Sequence, residues 1–145
     1  MRKASHLPDH MFVLIEGVRR RLAHDLAGSP IDDGIRRSYR RLLQMVPDDC
    51  IRMTDFAALA GMTKQALGEF VDGMQAEGLL FTERLATDRR VRLVRRTSKG
   101  DSVSRTTSAA VAAVEDRWRT DVGADRYDTM KAVLAEIGAD SFELP

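Results

Sequence analysis

Apolar residues recur at intervals of three and four along most of this chain, and two shorter runs alternate apolar and polar positions between residues 79 and 96. Intervals of three and four place side chains on one face of an α-helix, whereas alternation places them on one face of a β-strand. The pattern predicts a mostly α (α+β) chain, in which four helices precede a β-hairpin and two helices follow it.

The first two predicted helices follow a mobile arm over residues 1–8. The first helix starts with Asp9 as its N-cap and stops at Gly28. The second runs from Ile31 to Met45, with Asp32 and Asp33 at the positive end of its dipole. Their apolar faces carry, in chain order, Met11, Phe12, Leu14, Ile15, Val18, Leu22 and Leu26, and then Ile35, Tyr39, Leu42, Leu43 and Val46.

Two helices joined by a glycine turn form the centre of the chain. Thr54 is the predicted cap of a short helix over residues 55–60, and Gly61 ends that helix in the left-handed conformation. Thr63 caps a longer helix, Lys64 to Glu77. The residues of the longer helix that are predicted to pack inward are Leu67, Phe70, Val71 and Met74. This order predicts a helix-turn-helix.

A β-hairpin is predicted directly after the helix-turn-helix. Its strands are Leu79–Leu85 and Val91–Arg96, and Asp88-Arg89-Arg90 sits at its tip. The run Cys50–Met53 is short and partly β-branched, which is enough for a third strand beside the hairpin. The chain is therefore predicted to fold as a winged helix-turn-helix.

Two further helices are predicted after the hairpin. Thr97 or Ser98 caps a long helix that reaches Thr120, Gly123 breaks it, and a last helix covers residues 125–137. Their apolar stripes are Val103, Thr107, Ala110, Val111, Val114 and Trp118, and then Tyr127, Met130, Leu134 and Ile137. One small winged-helix core does not fully cover the stripes of the first and the long helix, so a homodimer is expected.

The net charge of +1 conceals an uneven distribution along the 145 residues. Residues 78–105 carry eight basic and three acidic side chains, a net charge of +5, whereas residues 106–145 carry four basic and eight acidic ones, a net charge of −4. A positive segment of this kind favours an anionic partner such as nucleic acid.

Composition argues against several other classes of protein. No apolar run approaches the roughly 20 residues of a membrane span, and Glu16 interrupts the apolar run near the N-terminus, so neither a membrane protein nor a signal peptide is predicted. Cys50 is the single cysteine, which rules out an internal disulfide and suits a cytoplasmic protein. The residues suggest no metal site, no cofactor and no nucleophile with a base, so no enzyme is predicted.

The N-terminus of the longer central helix carries side chains suited to DNA. The major groove admits one α-helix, and residues near the N-terminus of that helix reach base edges. Lys64 can donate to guanine, and Gln65 can form two hydrogen bonds with adenine. Thr63 and the free N–H groups beside it can bind a phosphate, and Gly68 lets the helix lie close to the groove.

The hairpin supplies a second anchor for DNA. Arg89 or Arg90 at its tip is suited to a narrow minor groove, with Asp88 orienting the neighbouring guanidinium. Arg92, like the later arginines of its strand, is suited to a phosphate or to one of the protein's own carboxylates.

These motifs resemble the MarR family of bacterial winged-helix regulators. The matching text is FAALAGMTKQALGEFVDGMQAEGLLFTE, from Phe56 to Glu83, and DRRVRLVRRTSKG, from Asp88 to Gly100. The resemblance implies a homodimer that binds an inverted repeat in double-stranded DNA and represses transcription until an aromatic or phenolic effector, or oxidation, releases it. It implies an arm and dimerisation helix over residues 1–30, a DNA-binding lobe over residues 31–97 and C-terminal dimerisation helices over residues 98–145.

The chain departs from the family pattern at two places. The wing tip, Leu85-Ala86-Thr87, is shorter than usual. Glu69 and Gly73 stand where many relatives have arginines, which removes two expected phosphate contacts. Glu69 either accepts a hydrogen bond from a cytosine N4 group or pairs with Lys64 or Gln65.

Three assignments have two interpretations each. Met11, Phe12, Tyr39 and Trp118 either line an effector pocket between the dimer helices and the lobe or belong to the core. Cys50 is either a redox sensor or a bystander thiol. The winged helix binds DNA or, alternatively, is a protein–protein interaction module or antagonist that has lost strong DNA binding.

Overall fold

The computed structural model describes residues 7–29, 31 and 34–142. In that part of the chain the helices before the hairpin are α1 (Met11–Ala27), α2 (Arg37–Leu43), α3 (Met53–Ala60) and α4 (Lys64–Ala76). The strands are β1 (Ile51–Arg52), β2 (Leu80–Leu85) and β3 (Asp88–Arg96). Helices α5 (Ser98–Val122) and α6 (Ala124–Gly138) follow, and a 3-10 turn covers Ala139–Phe142. The predicted mostly α winged helix-turn-helix is confirmed.

The three strands form one antiparallel sheet in the order β1-β3-β2. Ile51 of β1 lies opposite Val94 of β3, which confirms the predicted third strand. On the other side of β3, Thr82 of β2 also lies opposite Val94. Val94 is fully buried, so the centre of the sheet faces the core.

The core lies where α2, α3 and α4 pack against the sheet. Its most deeply buried side chains are Leu42, Leu43, Val46, Phe56, Leu67, Val71, Met74, Leu79, Leu80 and Val94. Each of these contributes about 1.5–3 kcal/mol by leaving water. The inward faces predicted for the second helix and for the longer central helix are confirmed, with Phe70 and Ile35 partly buried against the cluster.

Two predicted helix caps are wrong. Helix α1 starts after His10, whose extended backbone holds it outside the helix, so Asp9 is not the N-cap. Helix α3 starts at Met53, with Arg52 as its N-cap residue, so Thr54 lies inside the first turn. Strand β1 ends at Arg52 and passes directly into α3, which leaves no turn for Thr54 to cap.

The second helix is shorter than predicted at its N-terminus. Gly34 has a φ of 73°, which a right-handed helix excludes, and Arg36 is extended at φ −60° and ψ 144°. Helix α2 therefore begins only at Arg37. Asp32 and Asp33 lie outside the described residues.

The hairpin turns at Ala86-Thr87, so the predicted tip, Asp88 to Arg90, is instead the beginning of β3. Arg92 pairs with Arg84, but the next pair along β2 joins Leu85 to Asp88. Arg84 and Leu85 are neighbours on β2, but their partners on β3 are separated by residues 89–91, which pair with no residue of β2. We call this segment the β3 bulge, because extra residues on one strand interrupt the pairing and bend that strand.

Helix α1 packs on α5 rather than entering the core, and none of its described side chains is fully buried. One contact between them is a hydrogen bond of 2.7 Å from the indole Nε1 of Trp118 to Asp25. Hydrogen bonds from His24, Trp118 and Arg21 lower the pKa of Asp25 to about 2. No helix among the described residues is long and apolar enough to cross a membrane.

Candidate nucleic-acid interface

The turn between α3 and α4 has the geometry that the sequence predicts. Gly61 is left-handed at φ 64° and ψ 34°, and the Met62 N–H donates to the carbonyl of Ala57 at 3.0 Å. The hydroxyl of Thr63 accepts from the Ala66 N–H at 3.1 Å and caps α4. These contacts fix the direction in which the N-terminus of α4 leaves the turn.

Helix α4 has one buried face and one exposed face. Leu67, Val71 and Met74 are fully buried and hold the helix against the core. The exposed polar side chains of the helix are Lys64, Gln65, Glu69 and Asp72. The predicted DNA-facing side chains are therefore accessible, and their helix is rigidly supported.

An open cleft of about 340 Å³ separates the N-terminus of α4 from the β3 bulge. It is lined by Arg52, Met53, Thr54, Lys64, Gly68, Arg90, Val91 and Arg92. Four of these residues are cationic and none is acidic, so the cleft suits an anion such as a nucleic-acid phosphate.

Lys64 and Arg52 both line this cleft, and Arg52 also interacts electrostatically, at longer range, with the Asp88 carboxylate. Neither makes a hydrogen bond or ion pair with another residue in the described ranges. Arg92 makes one long contact, 3.4 Å from its Nη2 to the hydroxyl of Thr82. No carboxylate of the described residues holds Lys64, Arg52 or Arg92 at close range, so these three cations can contact an external anion.

The first residues of β3 hold an arginine in a fixed direction. Asp88 accepts from the backbone N–H of Arg90 at 3.1 Å and from its guanidinium at 3.0 and 3.1 Å. The Arg90 guanidinium lowers the pKa of the Asp88 carboxyl below its usual value. Because the Arg90 side chain remains 92% exposed, Asp88 orients it without covering it. Arg89 beside it is also exposed.

Other arginines of β3 serve the fold. Arg95 pairs with Glu83 and donates to the carbonyl of Asp49. Arg96 is only 11% exposed and binds Asp48 and Asp101. The positive charge available to DNA is thus smaller than the sequence count of residues 78–105 indicates.

Two glycines of α4 have different roles. A Cβ atom on Gly68 would meet nothing within 4 Å, so no packing within the chain requires this glycine. A Cβ atom on Gly73 would collide with the hydroxyl of Tyr39. Gly73 therefore faces α2 and makes room for Tyr39, rather than marking a lost phosphate contact on the groove side.

The exposed carboxylate of Glu69 is free. It forms no hydrogen bond or ion pair with Lys64, Gln65 or any other residue of the described segments. The predicted alternative of an internal pair with Lys64 or Gln65 is therefore absent from this structure.

The four residues predicted for an effector pocket are not gathered around either described cavity. Tyr39 is 5% exposed, packs edge-on against Phe70 and has the Arg36 guanidinium over its ring. Trp118 is half-buried against α1. Met11 and Phe12 lie on the outer side of α1 and are 53% and 88% exposed.

Arg52 was missed by sequence reasoning. Arg52 of β1 pairs with Leu93 of β3, and this pairing places Arg52 at the cleft. The available signal was a lone basic residue in a short β-branched run directly before the helix-turn-helix.

Comparison with known proteins identifies solved structures that share the fold of this chain. No protein-family model and no curated protein matches the chain. CouR from Rhodococcus jostii RHA1, bound to p-coumaroyl-CoA, is similar at a TM-score of 0.70 and 18% identity, over 89% of this chain and 91% of that one. A MarR family transcriptional regulator from Rhodococcus sp. RHA1 is similar at a TM-score of 0.72 and 18% identity, over 90% and 93% of the two chains. The transcriptional repressor CouR bound to a 23-mer DNA duplex is similar at a TM-score of 0.70 and 23% identity, over 95% and 99%. The fold implied by the sequence resemblance is confirmed, and this chain shares the winged helix-turn-helix fold of these regulators.

Proposed function

We propose that this chain is a MarR-type transcriptional regulator that binds double-stranded DNA sequence-specifically, works in the cytoplasm and represses transcription. The observation that carries the proposal is the juxtaposition of the α4 N-terminus with the β3 bulge across a cationic cleft. Lys64 and Gln65 reach base edges, Thr63 and Arg52 hold the backbone, and Arg89 and Arg90 contact the minor groove. The similar CouR structure, bound to a 23-mer DNA duplex, supports DNA binding by a protein of this fold.

The regulator acts as a homodimer in this proposal. The exposed apolar residues of the outer helices are Met11, Phe12, Leu14, Ile15 and Val18 on α1, and Met130, Val133, Leu134 and Ile137 on α6. Contiguous exposed apolar surface of this kind marks a site of protein–protein association. Pairing through residues 1–30 and 98–145 leaves the lobe of residues 31–97 free, and two lobes bind half-sites about 34–36 Å apart in an inverted repeat.

An aromatic or phenolic effector releases the DNA in this proposal. The similar CouR structure bound to p-coumaroyl-CoA supports an effector of that chemistry. The proposed pocket, with Met11, Phe12, Tyr39 and Trp118 near its walls, forms between the dimer helices and the lobe. The effector acts only if it binds the wide and the narrow spacing of the two recognition helices with different affinity.

Electrophoretic mobility shift on DNA recovered by genomic selection tests DNA binding. We expect a selected fragment whose affinity falls steeply between two salt concentrations, because phosphate contacts release counterions. Sedimentation tests the dimer, with a mass of about twice the 16.2 kDa of one chain expected. Failure of the selection to enrich any fragment would reject the proposal, and a mass of one chain would reject the dimer.

Three variants separate the roles of the contacts. Gln65→Ala should cost about 1–3 kcal/mol at the selected site and relax base preference there. Arg90→Ala should weaken binding to all sequences evenly. Arg95→Ala is the matched control, because it removes the same charge from the same strand. The Arg95 side chain is 36% exposed and pairs with Glu83, whereas the Arg90 side chain lines the cleft and is 92% exposed. Sequence preference that survives Gln65→Ala would show that a different face of α4 contacts the bases.

A second candidate function is a protein-binding winged helix that antagonises another regulator. The acidic residues Glu69 and Asp72 on the exposed face of α4 favour it, because phosphates repel carboxylates. DNA binding without salt dependence, or absent altogether, would favour this function.

A further inference from the structure

The exposed face of α4 bears an unusual charge for a helix that contacts DNA. Glu69 and Asp72 are both exposed, and Lys64 is the single basic residue of the helix. A carboxylate beside the DNA backbone is repelled by phosphates unless a hydrogen bond from a base offsets the repulsion. Each carboxylate on this face therefore either weakens binding or contacts a donor on a base edge.

The position of Glu69 favours contact with a base. It lies four residues after Gln65, so the two side chains are one helical turn apart on the same side. Its oxygens accept no hydrogen bond from any described residue and can therefore accept one from DNA. Asp72 lies about 4.5 Å further along the axis, and its shorter side chain reaches less far.

The major groove contains one donor that a carboxylate can approach without repulsion. Cytosine presents its N4 amino group there, whereas adenine presents its N6 amino group beside the acceptor N7. Guanine and thymine present acceptors to a carboxylate. The chemistry of Glu69 therefore selects cytosine.

We propose that Glu69 is a specificity-determining residue that selects a cytosine in each half-site by accepting a hydrogen bond from its N4 group. The inference rests on the proposed DNA-binding function and adds to it a base preference. The selected cytosine lies next to the base contacted by Gln65, because the two side chains follow each other along the groove.

Selection from a randomised DNA library tests the inference with three proteins: the wild type, Glu69→Gln and Asp72→Asn. The wild type should enrich one cytosine per half-site beside the Gln65 contact. Replacement of that cytosine should weaken wild-type binding about tenfold, within the range expected for one base contact. Glu69→Gln should lose the cytosine preference, since an amide also bonds well to adenine. Asp72→Asn is the matched control, which removes the same charge from the same face and should retain the preference.

Each other outcome overturns the inference in a distinguishable way. If Glu69→Gln and Asp72→Asn both tighten binding to all sequences equally, the two carboxylates act only by repulsion. If Glu69→Gln retains the cytosine preference, another residue selects that base. If the wild type enriches no sequence, the proposed DNA-binding function fails, and this inference fails with it.

Discussion

Substitution of Gly100 by alanine should destabilise the protein through a backbone collision. Gly100 lies buried in the first turn of α5, where an added Cβ would be closer to the Leu79 carbonyl oxygen than non-bonded atoms approach. The same Cβ would be 3.1 Å from the Leu79 carbonyl carbon and 3.4 Å from the Cβ of Arg96. Because the obstructing atoms belong to the main chain, rotation of a side chain does not relieve the collision.

The collision also strains the cap that begins α5. The Gly100 N–H donates to the hydroxyl of Thr97 at 3.0 Å, and the Thr97 N–H donates to the Leu79 carbonyl at 3.1 Å. Moving Gly100 away from Leu79 stretches both hydrogen bonds. Overpacking costs about 1–3 kcal/mol and a lost cap about 1 kcal/mol, whereas alanine for glycine in a helix gains about 1 kcal/mol. The expected net loss is about 2 kcal/mol.

Thermal and urea unfolding measure this loss, at one fixed protein concentration because assembly shifts the midpoint. The midpoint of Gly100→Ala should fall by about 6 °C. Gly68→Ala is the control, because the Cβ it adds in α4 meets nothing within 4 Å. It should raise the midpoint by about 3 °C. If the unfolding midpoint of Gly100→Ala equals or exceeds that of the wild type, the close approach of α5 to Leu79 does not constrain the fold.

Two further predictions follow from other contacts. Gly73→Ala should lose about 1–2 kcal/mol by collision with the Tyr39 hydroxyl, and adding Tyr39→Phe should recover part of that loss. Additive losses in a double-mutant cycle would contradict it. The pKa of Asp25, lowered to about 2 by hydrogen bonds from His24 and then Trp118, predicts stability that is present above the unfolded pKa of about 3.9 and lost as pH falls towards 2. Asp25→Asn should reduce the loss of stability at low pH and the change in Trp118 fluorescence with pH. If the acid titration of this variant matches that of the wild type, Asp25 is not the source of the pH dependence.

The sequence predicted α4 well because the signals that define it are local. A glycine turn, a threonine cap and apolar residues at intervals of three and four all lie within residues 61–76, and each is visible in the sequence. The start of α2 was not predictable in this way. The sequence contains Gly34, but it does not show that its backbone adopts a positive φ.

Contacts between distant segments account for the remaining differences. Gly73 and Gly100 are required because Tyr39 and the Leu79 carbonyl approach them, and no local pattern shows such an approach. Within the candidate site, the exposure of Lys64 and Gln65 follows from helix periodicity. The position of Arg52 at the cleft depends on the pairing of β1 with β3. Which arginines of the hairpin form ion pairs with carboxylates also depends on contacts between distant segments.

The β3 bulge makes the length of the wing independent of the register of the sheet. Residues 89–91 lie opposite no residue of β2, so insertions or deletions there leave the pairs from Leu80 with Arg96 to Arg84 with Arg92 in place. Deleting two residues from the bulge leaves the side chains between the turn and the bulge on the same faces of the sheet. Deleting one residue moves them to the opposite faces. The reach of the wing can therefore be lengthened or shortened by small changes in chain length, without repacking the core that supports α4.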